Sequence, residues 1–188
     1  VRRPAAVSVE RGADLATNIV QGPDLGEVGS ALAAAVTAGV AAAAYRPPSG
    51  SERHRSAGAA WLARGGLSVR PEQVLVTVGA QHALFVALAA LTRPGEAVLA
   101  EELTYHGFKG LAQRLKLRLH GVALDHEGLI PEAFETACRT LAPRALYCTP
   151  SLQNPTAVIM SEERRARIGE IAARFGVTVI EDDIFGFL

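Results

Sequence analysis

From residue 71 onward the chain repeats one unit, a short and largely apolar segment followed by a break and then by a stretch of helix length. The apolar segments cover residues 73–78, 97–100, 119–124, 145–148 and 177–181, and the intervening helical stretches cover 80–92, 105–117, 131–141 and 161–175. A strand that is apolar at every position, rather than at alternate ones, is read as buried on both faces. Strands of that kind separated by helices predict an α/β fold, a mostly parallel sheet between two helical layers with right-handed crossovers. This three-layer α/β/α reading is the strongest constraint in the sequence, and it locates the informative residues. In such sheets ligands sit at the carboxyl ends of the strands.

The upstream third reads differently. Residues 1–25 mix Arg, Pro, Gly and Asp without a period and read as an arm or linker. Residues 25–44 are Ala-rich at helical spacing until Pro47-Pro48 rules out continuation, and 51–64 form a second helix stopped by Gly65-Gly66. Trp61 is assigned to the buried face of that second helix. The expected organisation is therefore an arm with helices over 1–70 and a partial α/β domain over 71–188.

Charge and cysteine usage narrow the function classes. Lys and Arg number 19 and Asp and Glu number 19, so no net field draws the chain to nucleic acid or an anionic membrane. The apolar stretches 31–44 and 83–91 fall short of the about 20 residues that span a bilayer. Cys138 and Cys148 are the only cysteines, and neither they nor the five histidines show zinc-ligand spacing, so the expectation is no metal and a reducing, cytoplasmic setting. The chain opens on Val1, has Met160 as its sole methionine and closes on an apolar run without a stop signal, which is read as a piece of a longer protein.

Four strand ends carry chemistry. After 73–78 comes Gly79-Ala80-Gln81, whose amides open a helix and offer unpaired N–H donors to an anion. Neither a GxGxxG nor a Walker pattern is present, which argues against a dinucleotide or nucleoside triphosphate. After 97–100 comes Thr104-Tyr105-His106-Gly107, which brings an aromatic plate to the same edge. After 145–148 comes a proline-constrained polar loop containing Gln153-Asn154-Pro155-Thr156, and after 177–181 come Glu181, Asp182 and Asp183. An anion site, an aromatic plate, a loop amide and a carboxylate at one edge suit a flat, phosphorylated, cationic heterocycle.

In this order Gly79-Ala80-Gln81, Thr104-Tyr105-His106-Gly107, Gln153-Asn154-Pro155-Thr156 and Glu181-Asp182-Asp183-Ile184-Phe185 resemble the large domain of fold-type I pyridoxal-phosphate enzymes, the aminotransferase superfamily. Upstream, Tyr45, Gly50 and His54-Arg55 are similar to the segment that precedes that domain, so the resemblance spans roughly residues 20–188. The run Leu146-Tyr147-Cys148-Thr149-Pro150 into Gln153 is similar to the aminotransferase-like domains of GntR/MocR-type transcriptional regulators.

The resemblance implies pyridoxal 5'-phosphate as cofactor, with Ala80 and Gln81 at its phosphate and Tyr105 stacked on the pyridine ring. It implies Asn154 on the ring hydroxyl oxygen and Asp182 paired with the ring nitrogen. Phe185 takes an aromatic position where many members have Tyr, and so brings no hydroxyl. The Schiff-base lysine and the substrate-carboxylate arginine are implied beyond Leu188, which leaves Lys109 and Lys116 as surface charges and gives this chain no catalytic residue of its own. The implied activity is amino-group transfer between an amino acid and a 2-oxo acid, in a homodimer. The alternative is the effector domain of a regulator that senses the cofactor or an amine and binds DNA through a separate N-terminal winged helix. The family's first strand borders a late antiparallel strand, so the piece ending at Leu188 is expected to expose strand edges, to be marginally stable and to hold the cofactor weakly and non-covalently.

Overall fold

A computed structural model of the chain describes residues 26–37 and 47–186. It divides into two units, Val1–Tyr45 and Arg46–Leu188. In the first, α1 spans Gly26–Thr37, with Glu27 in its first turn, where a carboxylate complements the helix dipole. The expected helix over 25–44 is therefore seen to Thr37; its remaining residues lie outside the described ones.

The second unit runs α2 (Glu52–Arg64), a 3₁₀ turn (Pro71–Gln73), α3 (Ala80–Leu91), β1 (Ala97–Glu101), α4 (His106–Arg114) and β2 (Arg118–Val122). It continues through β3 (Leu124–Asp125), β4 (Gly128–Leu129), α5 (Pro131–Leu141), β5 (Ala145–Cys148), α6 (Glu162–Phe175) and β6 (Thr178–Glu181). Ser51 caps α2 by accepting from the His54 N–H at 3.3 Å, and Ser161 caps α6 by accepting from the Arg164 N–H at 3.3 Å. Gly176 ends α6 in the left-handed conformation.

The main sheet is parallel throughout, in the order β2-β1-β5-β6. The central strands β1 and β5 are buried at every residue, whereas the edge strands β2 and β6 are mostly not. Each face of the sheet has its own core. Val98, Ala100, Ala145 and Tyr147 pack with Leu84 and Leu88 of α3 and Phe108 and Ala112 of α4. Leu99, Leu146 and Cys148 pack with Phe134 and Cys138 of α5 and Ile168, Ile171 and Ala172 of α6. The α/β reading with helices on both faces holds.

Three local expectations are corrected. Residues 73–78 are not a strand: Gln73 closes the 3₁₀ turn, Val74 is extended, and the Val76 N–H bonds to the Ser49 carbonyl at 3.0 Å. No strand among the described residues pairs with this run. The expected strand 119–124 stops at Val122, and Leu124–Asp125 turns back on Gly128–Leu129 as a small antiparallel hairpin. Asp125 accepts from the Glu127 N–H at 2.8 Å and Gly128 takes φ +101°, which together close that turn. Arg164 clamps it from α6 through Asp125 and Glu127. Trp61 is 57% exposed with Arg64 stacked over its ring, so it is not in the core of this unit.

Candidate functional site

Because the main strands are parallel, their carboxyl ends share one edge, and the loops leaving β1, β5 and β6 are neighbours there. Tyr105 follows β1 as the N-cap residue of α4, Asn154 follows β5, and Asp182 follows β6 directly. Three of the sequence-derived positions thus lie on loops that leave neighbouring strands. Ala80 and Gln81 open α3, on the face of the sheet that also carries α4.

The turn into α3 is built around Gly79. Its φ of +96° is a conformation that favours glycine, and no side chain caps the helix it begins. Ala80 and Gln81 are the first two helical residues, whose N–H groups have no intrahelical acceptor. His82 steadies the turn from within, its Nδ1 accepting from the Val78 N–H at 3.2 Å. The Gln81 side chain is committed elsewhere, donating from Nε2 to the Tyr105 hydroxyl at 2.8 Å. Gln81 therefore offers an anion its main chain and gives its amide to the orientation of the aromatic plate. Gly107 allows that orientation, since a Cβ there would fall on the Tyr105 ring.

Asp182 is held from β5. Its N–H donates to the Cys148 carbonyl at 2.9 Å, and its Oδ2 accepts from the Tyr147 hydroxyl at 2.8 Å. Tyr147 belongs to the core between the sheet and α3 and α4, so the Asp182 carboxylate is on the same face as Gln81 and Tyr105. Asp183 is exposed and enters no such bond. Phe185 is half-buried in the turn over residues 184–186 and takes no part in this hydrogen bonding.

The loop after β5 is braced on both sides. Glu101, at the end of β1 and 1% exposed, accepts through Oε2 from the Thr149 N–H at 3.2 Å, the Thr149 hydroxyl at 3.0 Å and Gln153 Nε2 at 3.2 Å. Gln153 also donates to the Leu103 carbonyl at 2.6 Å and accepts from the Thr156 N–H and hydroxyl at 2.9 and 2.7 Å. From the other side Arg165 donates to the carbonyls of Met160 and Pro150 at 3.1 and 3.0 Å, to Ser151 Oγ at 3.1 Å and to Glu181 at 3.3 Å. Asn154, carried between these braces with a cis peptide bond to Pro155, keeps its side-chain amide free of hydrogen bonds among the described residues. A cavity of about 190 Å³ lined by Cys148, Met160, Arg165 and Glu181 lies on the opposite face of the sheet, the one covered by α6.

A family model described as aminotransferase class I and II matches residues 11–188. The chain belongs to that family. It is 31% identical over 127 residues to an uncharacterized HTH-type transcriptional regulator, YdeF of Bacillus subtilis, covering 68% of this chain and 28% of that protein. It is 33% identical over 147 residues to the 2-aminoadipate transaminase of Thermus thermophilus, covering 78% of this chain and 36% of that protein. Among solved structures it superposes on LysN, the alpha-aminoadipate aminotransferase of Thermus thermophilus complexed with N-(5'-phosphopyridoxyl)-L-leucine. The TM-score is 0.75 at 32% identity, over 84% of this chain and 40% of that one. The chain thus spans between about a quarter and just over a third of the curated relatives it matches.

Within this aminotransferase-family chain, Arg165, Glu101 and Tyr147 escaped sequence reasoning. Glu101 carried a legible signal, a carboxylate closing a run of fully buried residues, which has to be hydrogen-bonded to be tolerated. Tyr147 carried none, because only the pairing of β5 with β6 sets it beside Asp182. His106 is exposed, with its ring 5.0 Å from that of Tyr105, and Lys109 and Lys116 are exposed.

Glu101 gives a pH prediction. Burial raises its pKa above the ordinary 4.5, against the opposing hydrogen bonds from Gln153 and Thr149. An acid with a higher pKa folded than unfolded contributes stability that is complete below the unfolded value and is lost as pH rises through the folded one. Glu101→Gln removes the titration, so the variant gains on the wild type as pH rises from about 4.5. Urea unfolding at a series of pH values reads this, and a wild-type-to-variant difference that stays constant with pH contradicts it.

Proposed function

We propose that residues 71–188 are the cofactor-binding half of a pyridoxal-phosphate-dependent aminotransferase. The observation that carries this reading is the placement of the Asp182 carboxylate, the Tyr105 ring and the open N-terminus of α3 on one face of one sheet edge. The donor set fits the cofactor. Unpaired N–H groups of Ala80 and Gln81 suit a phosphate, the Tyr105 ring a flat heterocycle, the free Asn154 amide a ring oxygen and the Asp182 carboxylate a protonated ring nitrogen. Phe185 would flank the ring without a hydroxyl.

When bound, the cofactor supplies an electron sink for the electron pair left as an amino acid loses its α-proton. The residues of this chain do the rest of the work on this side of the site. Asp182 favours the protonated ring nitrogen by charge, Gln81 holds Tyr105 so that the plate lies flat, and Glu101 with Arg165 keeps the Asn154 loop from yielding. Lysine for the covalent attachment and arginine for the substrate carboxylate come from outside residues 1–188 in this reading. Amino acids and 2-oxo acids are the substrates and a second copy of the full-length protein is the partner.

A second reading has its own support, since relatives at 31%, 31% and 30% identity are HTH-type transcriptional regulators. In it the same site is the sensor of a regulator and DNA is bound by another domain, in keeping with 19 basic and 19 acidic residues here. No helix among the described residues is long and apolar enough to cross a membrane, which accords with a cytoplasmic protein of either kind. The test is the visible spectrum of the full-length protein with pyridoxal phosphate. A long-wavelength band that bleaches with amino acids and returns with 2-oxo acids is the result for an aminotransferase. A band that does not turn over, in a protein with a basic winged helix upstream, is the result for a regulator. No band at all removes the cofactor from both.

A further inference from the structure

The contact between Tyr147 and Asp182 joins a fully buried core residue to the carboxylate at the sheet edge. Tyr147 is immobilised on every side. Its ring stacks on Phe108 with centroids 4.1 Å apart and planes 11° from parallel, and its backbone lies in register with Ala100 of β1 and Ile180 of β6. Asp182 is therefore tied to one strand twice, by its N–H to the Cys148 carbonyl at 2.9 Å and by Oδ2 to the Tyr147 hydroxyl at 2.8 Å. With the main chain and one carboxylate oxygen both fixed, the remaining oxygen, Oδ1, has one direction in which to point. It has no hydrogen-bond partner among the described residues.

We infer that Tyr147 is a positioning residue for Asp182, fixing its carboxylate so that Oδ1 meets the ring nitrogen of bound pyridoxal phosphate; the inference rests on the reading of Asp182 given above. The arrangement works in one direction only. Burial, and after it the hydrogen bond to and charge of Asp182, hold the Tyr147 phenol well above its ordinary range, so the hydroxyl stays protonated and remains the donor. Phe108 turns this into a rigid path from α4 through Tyr147 to the site, because neither ring can rotate without breaking the stack.

The test uses the full-length protein and three variants, Tyr147→Phe, Asp182→Asn and the double variant. Tyr147→Phe keeps the ring and its stack and removes only the donor. Affinity for pyridoxal phosphate is titrated on the apo-protein by fluorescence quenching, together with the pH profile of the visible band and the thermal midpoint. Tyr147→Phe is expected to weaken binding about tenfold and to move the pH profile while melting close to the wild type. In the Asp182→Asn background the same change is expected to cost less than about twofold, since the carboxylate charge that Tyr147 orients is no longer there. Unchanged affinity in Tyr147→Phe overturns the inference while leaving the cofactor reading intact. So does an equal loss in both backgrounds, which marks a general packing role. A wild type that does not bind pyridoxal phosphate overturns the cofactor reading and this inference with it.

Discussion

Asp182→Asn in the full-length protein is expected to lower the turnover number for amino-group transfer by about 10²–10³-fold, the range seen when a preorganised electrostatic partner is removed from an active site. The substitution is close to isosteric. The Asn carbonyl can still accept from the Tyr147 hydroxyl, and the backbone N–H still meets the Cys148 carbonyl, so the sheet edge is kept. What is lost is the negative charge beside the ring nitrogen, and with it the preference for the protonated ring that stabilises charge left by the α-proton. The loss belongs to the transition state more than to substrate binding, so kcat falls while KM for the amino acid changes little. Single-turnover kinetics of the amino-acid half-reaction separates the two. Activity within about threefold of the wild type would remove Asp182 from the site.

Phe108→Ala is expected to lower stability by about 3–5 kcal/mol, the usual range for truncating a buried Phe to Ala. Phe108 is 0% exposed and lies in the core between the sheet and α3 and α4. The stack on Tyr147 adds about 0.5–1.5 kcal/mol beyond the area buried, which places the variant toward the upper end. Against a native stability of about 5–15 kcal/mol this is a large fraction. Denaturant unfolding would show a lower midpoint with an unchanged m-value. The variant is also expected to bind pyridoxal phosphate more weakly, because the cavity lets the Tyr147 ring move and releases Oδ2 of Asp182. A midpoint like that of the wild type would show that α4 packs on the sheet without this ring.

The fold and the site were not equally legible. Val98, Leu99, Leu146 and Tyr147 lie in runs that are apolar at every position, and such runs have few solutions other than strands covered on both faces. Residues 73–78 show the limit of that rule. Four of their six residues are apolar, but a strand is defined by its neighbours, and none of β1, β2, β5 and β6 pairs with them. Trp61 shows a related limit: its helical spacing is correct, yet spacing cannot say whether another element lies against that face, and here the ring is 57% exposed.

Within the candidate site, the residues proposed to meet the cofactor could be read from motifs, and the residues that brace them could not. Tyr105, Asn154 and Asp182 each follow a strand directly or within a few positions, so locating the strands located them. The sequence offers Gln81 as a candidate anion contact through its main chain, but its side chain reaches a tyrosine 24 positions away. Glu101 reaches Gln153 across 52 positions and Tyr147 reaches Asp182 across 35.

By itself the sequence determined the alternation of elements, the parallel sheet and the edge at which chemistry gathers, because burial periodicity and turn residues act over a few positions of chain. Tertiary structure alone decided the strand order β2-β1-β5-β6, and with it which polar groups meet. The physical reason is that a hydrogen bond is directional and a few ångströms long, so its partners are fixed by which strands lie side by side.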